Sequence, residues 1–98
     1  MAKYSFIQAV KYLSESSANI SCKDLCRLLT DLGFVVKRGS SGCHYTFSHP
    51  KIDGFYGGNF NCGHGATMLP VYPRNVLRTL KDLQVELEEM ENEYLKTI

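Results

Sequence analysis

Apolar residues recur along this chain in three successive rhythms, and each change of rhythm marks a change of element. From Tyr4 to Leu13, the residues Phe6, Ile7, Val10 and Leu13 fall on one face at helical spacing, which predicts a short first helix. Ser14–Asn19 loses the pattern and reads as a connector. Ser21, with Asp24 three residues on, is a helix N-cap. Leu25, Leu28, Leu29 and Leu32 form the apolar stripe behind it, with Cys22 on the same side, and Gly33 stands where a glycine ends a helix.

The rhythm then shortens. Phe34–Arg38 is β-branched and aromatic, a first strand, and Gly39–Gly42 is a turn. Across Cys43–His49 the pattern alternates, with Cys43, Tyr45 and Phe47 on one face and His44, Thr46 and Ser48 on the other. That is a half-buried antiparallel strand, ended by Pro50, which cannot donate to a ladder. Lys51–Gly58 reads as a loop, Asn59–His64 as a third strand, and Gly63–Thr67 as irregular chain. Pro73 suits the first turn of a last helix. From there Val76, Leu80, Leu83, Leu87, Met90 and Tyr94 alternate steps of four and three, a heptad stripe on one long helix.

These elements predict an α+β fold: a three-stranded antiparallel sheet with helices on one face. The compact body covers residues 21–83, with an extra N-terminal helix and connector in 1–20 and an acidic extension of the last helix in 84–98. The stripes left over on the two terminal elements predict that these pack on each other or form a homodimer.

Ninety-eight residues make a single domain. No stretch approaches the apolar length of a membrane span, and the N-terminus lacks a secretory apolar segment, so a cytoplasmic protein with no membrane association is expected. In that compartment the four cysteines are expected as free thiols, with Cys22 and Cys26 serving as small buried hydrophobes. Cys22, Cys26, Cys62 and His64 match no standard zinc spacing, and phosphate-loop and dinucleotide fingerprints are absent. No metal and no cofactor are expected.

The net charge of +1 conceals a split. Leu32–Lys81 holds six basic residues against Asp53 alone, whereas Asp82–Ile98 holds six acids against Lys96 alone. A basic middle beside an acidic tail suits a polyanion-binding body with an appendage, or equally a solvated acidic helix beside a mildly basic domain.

Alternation decides where the chemistry lies. If Tyr45 and Phe47 face the helices, His44 faces away, with Lys37 and Arg38 on the neighbouring strand. Histidine exchanges its proton near neutrality, and a strand holds it firmly, which suits acid–base work on a phosphodiester. The plainer reading is an exposed polar strand residue. Cys43 is not its nucleophile, because adjacent strand residues point to opposite faces.

The runs Leu25–Arg38 and Gly42–Pro50, the latter reading Gly-Cys-His-Tyr-Thr-Phe-Ser-His-Pro, resemble the HicA toxin family, as does Val71–Leu83 against that family's closing helix. The likeness spans about residues 21–83. It implies a double-stranded-RNA-binding-like α-β-β-β-α fold and a metal-independent ribonuclease that cleaves messenger RNA and is silenced by a HicB-like antitoxin. The family's catalytic histidine falls on His44, while Tyr45 and Cys43 stand where the family carries histidine and serine. Within such a body Lys37, Arg38, Lys51, Arg74 and Arg78 are the expected phosphate contacts, with His64 a further RNA contact. His49 is expected to stabilise the strand end. Two other readings remain: a non-catalytic RNA-binding module, or a domain that grips a protein through the last helix's stripe.

Overall fold

The computed structural model describes residues 3–16, 19–39, 43–62 and 68–97, with side chains as far as Glu93 in the last stretch. Seven elements follow in order: α1 (Phe6–Ser16), α2 (Cys22–Asp31), β1 (Val35–Arg38), β2 (His44–Ser48), β3 (Gly58–Asn61), α3 (Val71–Asp82) and α4 (Gln84–Thr97). The fold is α+β, and its middle runs α-β-β-β-α as the sequence predicts.

The sheet is antiparallel in the order β1-β2-β3. Val36 lies opposite Phe47, Arg38 opposite Tyr45, and Tyr45 opposite Phe60. One face therefore carries Val36, Tyr45, Phe47 and Phe60. Tyr45 and Phe60 stack at 5.4 Å across the β2–β3 ladder, a favourable cross-strand aromatic pair. Against this face pack Leu25, Leu28 and Leu29 from α2 and Val76 and Leu80 from α3, all fully buried. Each such side chain contributes about 1.5–3 kcal/mol by leaving water. The other face carries Val35, Lys37, His44, Thr46, Ser48, Asn59 and Asn61, and its strands hold no carboxylate.

The caps behave as the sequence requires. Ser21 Oγ accepts the Asp24 amide at 3.1 Å, and Gly33 takes φ +96°, a conformation that side chains resist.

Three expectations are corrected. The first helix does not bury Ile7, which is 71% exposed; Ala9 takes that place beside Phe6 and Leu13. The contacting face is centred one position off the apolar stripe because α1 meets α3 and α4 together. The last helix is not continuous. It begins at Val71, with Pro73 buried in its first turn, and breaks at Leu83, where φ −101° and ψ 16° turn the chain into α4. The turn brings Leu87 into the core and sets Glu91 Oε2 2.8 Å from the Phe6 amide, so the carboxylate caps the start of α1. The terminal helices thus pack on each other within one chain.

The third correction concerns the cysteines. Cys22 and Cys62 form a disulfide with Cα atoms 5.3 Å apart, while Cys26 and Cys43 are not disulfide-bonded. The residue that opens α2 and the residue that follows β3 are 40 apart in sequence, and only the fold brings them together. Burial pushes the Cys26 thiol up, in keeping with a packing role. The predicted third strand is shorter than Asn59–His64, and Ser40–Gly42, Gly63–Thr67 and the Tyr94 side chain lie outside the described residues.

Candidate active site on the open sheet face

His44 begins β2 and lies opposite Asn61 at the end of β3. Its backbone carbonyl accepts the Gly39 amide at 2.6 Å. A Cβ at Gly39 would stand 3.1 Å from that carbonyl and 3.6 Å from the His44 Cβ, so the glycine lets the chain after β1 lie close against the start of β2. The ring is half-buried and its Nδ1 is 3.0 Å from Asn61 Oδ1.

An amide oxygen can only accept, so Nδ1 donates. In the neutral ring Nε2 then carries the lone pair, the atom a general base needs. The amide orientation is itself set: Asn61 Nδ2 donates to Tyr72 Oη at 3.3 Å. Tyr72 sits in the first turn of α3, half-buried against the core. A chain of two hydrogen bonds therefore runs from the packed start of α3 to the imidazole. This is the arrangement by which an orienting group fixes a histidine's tautomer.

The other predicted site residues are dispersed. Lys37 shares the open face; it pairs with Thr46, which in turn faces Asn59, one ladder step from His44 and Asn61. A step of two strand residues is about 7 Å. Arg38 lies opposite Tyr45, on the helix-side parity of the sheet, and is exposed at the β1 edge. Arg74 and Arg78 are exposed on α3 beside the buried Pro73, Val76 and Leu80. At roughly 100° per residue they sit about 200° and 240° round the helix from Tyr72, on its solvent side. Lys51 lies in the turn after β2, at the far end of that strand from His44. His64 lies outside the described residues. The structure thus places Lys37 on the same sheet face as His44 and leaves Arg38, Lys51, Arg74 and Arg78 elsewhere.

His49 does the structural work expected of it. It is 6% exposed, Lys51's amide donates to its Nδ1 at 3.2 Å, and its Nε2 donates to the Leu32 carbonyl at 3.3 Å. Phe34 meets the ring edge-on at 4.9 Å. Burial lowers its pKa, Leu32's carbonyl opposes that, and Lys51's charge adds to it. His49 also lines a cleft of about 590 Å³ with Tyr4, Asp31, Leu87, Met90 and Glu91. Both carboxylates there accept a backbone amide: Asp31 that of Tyr4 at 3.0 Å and Glu91 that of Phe6.

Sequence reasoning missed Asn61 and Tyr72. The signal for Asn61 was its parity with Asn59, but the β2–β3 register had to be known to set it against His44. Among the described residues no cluster of three or more histidine, cysteine or acidic side chains could hold a metal ion, and no helix is long and apolar enough to cross a membrane. The disulfide removes Cys22 and Cys62 as thiolate ligands. Comparison with protein-family models, curated proteins and solved structures finds no match in any of the three.

Proposed function

We propose that this protein is a ribonuclease of the HicA toxin kind, with a double-stranded-RNA-binding-like body, using His44 on messenger RNA and held silent by a HicB-like antitoxin. The observation that carries the proposal is the His44 Nδ1–Asn61 Oδ1 hydrogen bond on an open, carboxylate-free sheet face. It orients the ring and leaves Nε2 as the proton acceptor.

In this reading Nε2 takes the proton of a ribose 2′-hydroxyl. The resulting oxygen attacks the adjacent phosphorus, the bond to the 5′-oxygen of the next nucleotide breaks, that oxygen takes a proton from water to leave as a 5′-hydroxyl, and a 2′,3′-cyclic phosphate forms. General acid–base catalysis of this kind contributes about 10²–10⁴-fold. Lys37, one ladder step away, supplies positive charge to a neighbouring phosphate. The resemblance of Leu25–Pro50 and Val71–Leu83 to the family supports the same reading, and a cytoplasmic location is part of the proposal.

The test is incubation of the purified protein with an unstructured RNA, wild type beside His44→Ala, with products examined for cyclic phosphate ends. Cleavage by the wild type alone, with both proteins binding RNA alike, supports the assignment. Equal binding and no cleavage by either leaves a binding module, in which the same face grips RNA and His44 is a contact. Cleavage by both removes His44 from the chemistry.

A further inference from the structure

We propose that the Cys22–Cys62 disulfide is a thiol-exchange site at which a small dithiol acts, and that its opening disorganises the His44–Asn61 pair. The activity arm of this inference rests on the ribonuclease reading above; the structural arm does not.

Cys62 directly follows Asn61, and its amide donates to the Cys43 carbonyl at 2.9 Å, one step beyond the His44–Asn61 rung. β3 is four residues long and is an edge strand, so Asn61 is the last residue of the sheet on that side. Beyond it, the disulfide is the covalent tie to α2. The same corner is drawn in by the Met68 amide, which donates to the Ile20 carbonyl at 3.2 Å. Asn61 thus stands between two anchors: Phe60, buried under Tyr45, and Cys62, bonded to the first residue of a packed helix. Opening the disulfide removes the covalent part of the second anchor, at the end of a short edge strand, where fraying starts most readily.

The two cysteines differ in burial as residues. Cys22 is half-buried, whereas Cys62 is buried. A dithiol's thiolate therefore attacks the Cys22 sulfur, forming a mixed disulfide, and Cys62 leaves as a thiolate that takes up a proton. The dithiol's second thiolate then attacks its own sulfur in the mixed disulfide, and Cys22 leaves and is protonated. Two electrons and two protons enter the protein, and the dithiol departs as a cyclic disulfide.

The experiment treats the full-length oxidised protein with dithiothreitol and follows three readouts together. Thiol titration is expected to rise from two free cysteines to four. The ¹⁵N signals of the His44 ring are expected to move from a single Nδ1-protonated form to a tautomer mixture, with circular dichroism unchanged. RNA cleavage is expected to fall roughly tenfold to a hundredfold, the scale on which a misplacement of about 1 Å acts. Cys22→Ser is expected to show the altered ring signals at the outset and to ignore the dithiol.

Full reduction with unchanged ring signals overturns the proposal. So does global unfolding on reduction, which makes the disulfide a staple and not a switch, or a purified oxidised protein with four titratable thiols. If neither state cleaves RNA, the ribonuclease reading fails and the ring signals alone decide this one.

Discussion

Gly33 and His49 are fitted to each other: a Cβ added at Gly33 would stand 2.8 Å from His49 Nε2, the atom that donates to the Leu32 carbonyl. Gly33 also sits at φ +96°. The end of α2 and the end of β2 therefore close together only because one residue lacks a side chain. Gly33→Ala meets both obstacles and is expected to destabilise the fold by about 1–3 kcal/mol, read as a lower denaturant midpoint. An unchanged midpoint would mean that the α2–β1 turn relaxes freely.

His49 links stability to pH. Burial favours its neutral ring in the fold, whereas the unfolded chain takes up a proton near pH 6.5. Its contribution is complete above about pH 6.5 and is lost as pH falls from there toward the lowered folded-state value. The slope is at most about 1.4 kcal/mol per pH unit. Unfolding of wild type and His49→Gln between pH 7.5 and 5 should differ in slope, with the variant flatter; parallel curves would remove His49 as the linked group.

Asn61 and Tyr72 are positioning residues for His44. Asn61→Ala is expected to lower kcat about 10–100-fold with KM little changed, because the ring loses its orientation and not its contact with RNA. Tyr72→Phe removes only the hydroxyl that holds the amide, and should lower kcat less, again with KM little changed. A rise in KM alone in both variants would make the pair RNA contacts.

The open face and the α3 surface are separable by salt. Lys37→Ala is expected to weaken RNA binding and to reduce the slope of log K against log salt by about 1, while Arg78→Ala leaves that slope unchanged. The reverse result would move the RNA onto the helix side of the domain.

Much of this molecule is legible in its sequence, because period and punctuation act locally. The two-residue alternation of Cys43–His49 already turns His44 away from Phe47, and Ser21 and Gly33 bracket α2 through bonds and torsions within a turn of their own positions. Heptad spacing from Val76 to Met90 identified the residues that face inward, yet Leu83 breaks the helix between them. A stripe records which side is apolar, and not whether a partner helix requires that side to bend.

What the tertiary structure alone decided lies in pairings between distant residues. Strand register set Asn61 against His44, and the start of α3 brought Tyr72 to Asn61. Closure of the core joined Cys22 at the start of α2 to Cys62 after β3, and α4 carried Glu91 to the amide of Phe6. Each of these contacts depends on where two elements meet, and the physical reason is common to them: periodicity fixes the direction of a side chain on its own element, whereas its neighbour across a sheet or a helix interface is fixed only when the whole core closes.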